Sequence, residues 1–154
     1  MDERLNNSMI LATKETLSSV LGVDTVCSSP VEEVINTSGG ETSVVIGFVG
    51  GISGAFTLKC SRELCVQIAS DMLGEPVPLD SEDAKDAVGE LFNMIVGTAK
   101  THYGESNGSF RMSVPTTIIG EDYTVHVKAN QSSTVSVLKF QVGGEVLHIE
   151  VYVN

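Results

Sequence analysis

Positive charge is scarce in this sequence: nine Lys and Arg stand against 20 Asp and Glu, for a net charge of -11 over 154 residues. A chain this acidic is repelled by phosphate backbones and anionic lipid surfaces, so nucleic acid and membrane are poor partners. Cysteine is scarce as well. Cys27, Cys60 and Cys65 are odd in number and lack the paired spacing of a zinc site, which fits free thiols packed as small apolar groups in a reducing compartment. No apolar run approaches the roughly 20 residues of a membrane-spanning helix. The first nine residues have neither the basic region nor the apolar stretch of a signal peptide, so a cytoplasmic location is expected. Apolar material is present in globular proportion. With 42% hydrophobic and 19% charged residues, the chain can fill one core, and its length suits a single domain over 1–154.

Leu5, Met9, Ala12, Thr13, Leu17, Val20 and Leu21 recur at helical spacing and Gly22 follows as a stop, which predicts a helix from about Glu3 to Leu21. Val31 to Thr37, Thr42 to Val49 and Gly54 to Cys60 are β-rich runs separated by glycine pairs, and read as antiparallel strands joined by tight turns. Ser61 can cap a second helix to Met72, and Ser81 a third to His102, with Glu82 and Asp83 placed to suit the helix dipole. Further β-branched runs follow at Met112 to Ile119, Tyr123 to Lys128, Thr134 to Val142 and Glu145 to Val153. In the last, Leu147, Ile149, Val151 and Val153 share one face and His148, Glu150 and Tyr152 the other, so one side of the sheet is expected to be wet. The order α-βββ-αα-βββ(β) predicts an α+β fold: an antiparallel sheet of about six strands covered on one face by helices.

The third helix breaks its own pattern. Ala84, Ala87, Val88, Leu91, Ile95 and Ala99 fall on one broad side, which must face the sheet. Opposite them Asp86, Glu90, Asn93 and Gly97 are spaced i, i+4, i+7 and i+11 and form one narrow stripe, bordered by Gly89. Two glycines so close together cost a helix on the order of 2 kcal/mol relative to alanine. One reading is a polar solvent face with a glycine needed for packing. The other is a ridge cleared of side chains so that a macromolecule can approach Glu90 and Asn93.

Other candidate sites are weaker. His102, His126 and His148 are scattered, with no acid or nucleophile close in sequence. The glycines between Gly50 and Gly54 join two strands and lack the helix and lysine of a nucleotide-binding loop. Asp80, Glu82, Asp83 and Asp86 lie at a helix start without the glycine and terminal glutamate of an EF-hand. No His, Cys or carboxylate cluster has convincing metal-ligand spacing, so no metal is expected on this chain.

The string Asp86-Ala87-Val88-Gly89-Glu90-Leu91-Phe92-Asn93-Met94-Ile95-Val96-Gly97 resembles the signature of the CheC/CheX/FliY family of chemotaxis phosphatases: an Asp or Ser, three residues, Glu, two residues, Asn. The N-terminal helix, the Phe48 to Gly54 hairpin and Val114-Pro115-Thr116 also look like the CheX type, and one good copy of the signature favours that single-site subtype. Glu3-Arg4-Leu5-Asn6 also reads Glu-x-x-Asn, but lacks the residue four before the Glu and the flanking glycines. The resemblance implies a phosphatase acting on the phospho-aspartate of a CheY-like response regulator, working as a homodimer. Asn93 would hold the attacking water in line with phosphorus, and Glu90 would pair with the regulator's active-site lysine. Asp86, Gly89 and Gly97 would belong to the docking surface. The chain itself would bind no cofactor, since Mg2+ would come with the regulator. Phe92 departs from the family, where a small residue is common, and is expected to narrow the groove beside Asn93. That departure keeps open a second reading, a non-catalytic module that binds a phosphorylated regulator or serves as a scaffold.

Overall fold

Among the described residues, three helices form where apolar periodicity and caps coincide: α1 (Glu3–Leu21), α2 (Arg62–Leu73) and α3 (Glu82–Tyr103). The side chains of Asp2, Ser61 and Ser81 accept the amides of Leu5, Leu64 and Ala84 at 3.0, 3.0 and 3.2 Å, satisfying donors that a helix start leaves unpaired. Gly22 and Gly74 end α1 and α2 in the left-handed conformation, at φ 65° and 70°, where a side chain would be strained. The computed structural model describes residues 2–28, 31–32, 42–104, 109–120, 123 and 134–154. Among these, no helix is long and apolar enough to cross a membrane.

The strands are β1 (Val31–Glu32), β2 (Thr42–Gly50), β3 (Gly54–Cys60), β4 (Phe110–Met112), β5 (Thr116–Ile119), β6 (Thr134–Val142) and β7 (Glu145–Val153). They form one antiparallel sheet in the order β1-β6-β7-β3-β2-β4, with β5 also paired to β2. Because β4 and β5 lie end to end along β2, the sheet is six strands wide among the described residues, and the fold is α+β in the order read from the sequence. The expected strands over 33–37 and 124–128 lie outside the described residues.

The run from Met112 to Ile119 is two strands instead of one. Phe48 pairs with Met112 and Val45 with Thr116, so Ser113, Val114 and Pro115 stand opposite only Ile46 and Gly47. One extra residue is a β-bulge, which interrupts the ladder and re-aims side chains. Pro115 has no N–H to give a ladder. Ser113 holds the bulge to β2 instead: its amide donates to the Gly47 carbonyl at 2.8 Å and its Oγ accepts the Gly47 amide at 2.9 Å.

The core lies between the helices and one sheet face. Val44, Ile46, Phe48, Phe56, Leu58, Leu138, Phe140, Ile149 and Val151 meet Leu5, Met9, Leu17, Ile68, Leu91 and Ile95, all 2% exposed or less. Each such side chain contributes roughly 1.5–3 kcal/mol by leaving water. Phe48, Phe56 and Phe110 form a ring cluster with centroids 4.4 to 6.0 Å apart.

The expectation of a wet opposite face fails at the sheet centre. Ser43, Thr57, Lys59, Glu150 and Tyr152 point away from the helices, yet none is more than 7% exposed. Lys59 Nζ lies 2.8 Å from Glu150 Oε1, and the Tyr152 hydroxyl donates to Glu150 Oε2 at 2.5 Å. Lys59, Glu150 and Tyr152 alternate with apolar residues in the sequence here because they satisfy one another, not because they face water.

Candidate functional site

α3 is the central helix, packed against α1, α2, β5 and β2. Its buried arc is therefore wider than a two-layer pattern requires. Besides Ala84, Ala87, Val88, Leu91, Ile95 and Ala99, it takes in Phe92 and Val96, each fully buried. This corrects the expectation for Phe92. Its ring is part of the core and does not narrow any groove beside Asn93.

What remains open is the expected stripe. Asp86 and Glu90 are exposed, while Asn93 and Gly97 are half-exposed. The side chains of Asp86, Glu90 and Asn93 make no hydrogen bond or ion pair with any described residue, so a carboxylate and an amide one turn apart keep their hydrogen-bonding capacity for something outside the fold.

The two glycines separate into different roles. A Cβ on Gly97 would meet nothing within 4 Å, whereas one on Gly89 would lie 3.2 Å from Thr117 Oγ1 and 3.9 Å from Pro115 Cγ. Gly89 is buried. It lets β5 pack close to α3, which corrects its expected place on the open docking surface. Gly97→Ala should accordingly stabilise the free protein by about 1 kcal/mol, the helix-propensity difference. Gly89→Ala should gain less or lose, because the Thr117 hydroxyl must give way. Urea unfolding midpoints at unchanged slope would check both.

The segment Phe110–Ile119 runs antiparallel to α3. At one end the Tyr103 and Phe110 rings are 6.1 Å apart; at the other, Pro115 and Thr117 flank Gly89. With about 3.3 Å per strand residue and 1.5 Å per helix residue, the bulge comes level with the turn that carries Asn93. The sequence offered only one signal of this wall, a proline inside a β-branched run.

The other candidates fold away from chemistry. Asn6 of the second Glu-x-x-Asn string is 2% exposed and its Nδ2 donates to Ser136 Oγ at 2.9 Å. His102 pairs with Glu15 across α1 and α3 at 2.8 Å, His148 is half-buried in β7, and His126 lies outside the described residues. Asp80 pairs with Arg62, and Gly54 takes the carbonyl of Tyr152 where a side chain would stand. Burial pushes the Cys65 thiol up from its usual range against a weaker opposing contact from Thr42, and burial raises Cys27 as well. Neither is poised as a thiolate nucleophile. Among the described residues no group of three or more His, Cys, Asp or Glu could hold a metal ion.

The family model of the chemotaxis phosphatase CheX matches residues 42–139. The chain belongs to the CheX family. The matched span holds all of α3 and the bulge, and leaves out the Glu3 to Asn6 string. The CheY-P phosphatase CheX of Thermotoga maritima is 31% identical over 127 residues, 81% of each chain. Among solved structures, the chemotaxis protein CheX of Desulfovibrio desulfuricans is 26% identical with a TM-score of 0.85, over 95% of this chain and 96% of that one. A CheX of Borrelia burgdorferi, solved as a complex with CheY, BeF3 and Mg+2, shares the fold at 22% identity and a TM-score of 0.77, over 97% of each chain. CheX is a phosphatase family, the enzyme class that the α3 motif implied.

Proposed function

We propose that this CheX-family chain hydrolyses the phospho-aspartate of a CheY-like response regulator, with α3 as the element that enters the regulator's active site. The observation that carries the reading is the open ridge: Glu90 exposed and Asn93 half-exposed, neither engaged by a described residue of its own fold. The named activity of the Thermotoga relative supports the same substrate.

The chemistry asked of the ridge is modest. An acyl phosphate is already activated, and an amide that donates and accepts hydrogen bonds can hold a water in line with phosphorus. Asn93 takes that role. Glu90, one turn away, pairs with the regulator's active-site lysine and fixes the angle of insertion. Asp86 and Gly97 extend the contact, Asp86 by charge and Gly97 by the clearance it leaves. The metal of the reaction is the regulator's own Mg2+, and this chain acts in the cytoplasm without a bound cofactor. A homodimer is the proposed assembly, since among the described residues no strand pairs the outer side of β1 or of the β4/β5 pair; sedimentation or light scattering reads its mass.

Phosphate release from a phosphorylated regulator with Mg2+ tests the function. Release well above the regulator's own rate is the expected result, and association without acceleration would leave the non-catalytic module as the function. The feature that favoured that module was Phe92, whose ring lies in the core.

A further inference from the structure

The most exposed large apolar side chain among the described residues is Val114, at 82%. A lone exposed valine needs no explanation, but this one sits at the middle of the Ser113–Pro115 bulge, level with the turn of α3 that carries Asn93. We propose that the bulge is a second wall of the regulator-docking site and that Val114 is its apolar anchor, seating on apolar surface beside the regulator's phosphorylation pocket. The inference rests on the reading that α3 docks on a phosphorylated regulator.

Three observations converge on it. The extra residue in the register opposite Ile46 and Gly47 is what turns Val114 outward, and bulges of this kind occur beside active sites. The turn is also rigid: Ser113 makes two hydrogen bonds to Gly47, and Pro115 is pinned where Gly89 leaves room. A β-branched side chain on a fixed backbone loses little freedom on docking, so its burial is retained as affinity. Finally, Met94, one turn beyond Glu90, is 38% exposed. The polar pair thus has apolar surface on the helix and on the bulge, the arrangement in which polar contacts orient and apolar ones hold.

The test measures binding of a beryllofluoride-activated regulator, and KM and kcat for phosphate release, with the full chain. Val114→Asp should raise Kd and KM about tenfold, the size of a typical interface anchor, with kcat within about twofold of wild type. Val114→Ala should shift them the same way by a smaller factor, and decides the matter if the aspartate variant does not fold. Val26→Asp, at a valine 72% exposed elsewhere, should leave Kd, KM and kcat unchanged. Wild-type Kd and KM in both Val114 variants, with acceleration by the parent protein intact, would overturn the inference and leave the proposed function standing. A parent protein that neither binds nor accelerates any regulator of its cell would overturn both.

Discussion

Asn93→Ala should abolish acceleration of regulator dephosphorylation while the regulator still binds. The expected loss in kcat is about 100-fold or more, the scale of removing one preorganised hydrogen-bonding group from a transition state, with Kd for the activated regulator changed by less than about threefold. The separation follows from geometry: the Asn93 side chain makes no hydrogen bond or ion pair with described residues of its own chain, so its loss removes the amide proposed to hold the water without disturbing the helix that docks. Alanine also favours a helix more than asparagine does, and the variant should be no less stable. Glu90→Ala should behave differently, weakening association and turnover together, because it removes the charge proposed to set the insertion angle. An amide has no proton to lose in the neutral range, so the pH profile of acceleration should carry no inflection from Asn93. Undiminished turnover in Asn93→Ala would eliminate the water-positioning mechanism.

The three helices were legible in the sequence because each carries two independent marks: an apolar period, and either a capping serine, for α2 and α3, or the stop at Gly22, for α1. The α3 stripe was legible for the same reason, since i, i+4, i+7 spacing fixes a shared face whatever surrounds the helix. What surrounds it is not local information. Gly89 and Gly97 look alike in the sequence, yet one is filled by Pro115 and Thr117 and the other opens on solvent. Phe92 was misplaced because helical phase says which residues lie together, not how many neighbours a helix has, and α3 has several. The bulge escaped because its extra residue exists only relative to β2. Two short strands with a proline between them read as one run until the register is counted.

The same blindness to partners hid Glu150, which in an alternating strand looks identical whether it meets water or Lys59. Its burial makes a second large effect predictable. Lys59→Met should destabilise the fold by about 3–5 kcal/mol, the usual consequence of leaving one member of a buried ion pair alone, read as a fall in the urea midpoint at constant slope. Lys59→Met combined with Glu150→Leu should recover most of that loss, because a desolvated pair contributes little net stability over apolar residues of similar size. High salt should leave the wild-type pair nearly untouched, since both side chains are only 4% exposed. A pair of such small net value still has a consequence for the site. β3 and β7 form the middle of the sheet, and a slip of one residue between them would carry Lys59 or Glu150 to the apolar face under the helices, which the charges forbid. β2 is registered on β3, and the bulge on β2. The double variant should therefore regain stability yet lose the penalty that excludes a shifted sheet, and hydrogen exchange along β2 and β4 should quicken relative to wild type even where the unfolding midpoints agree.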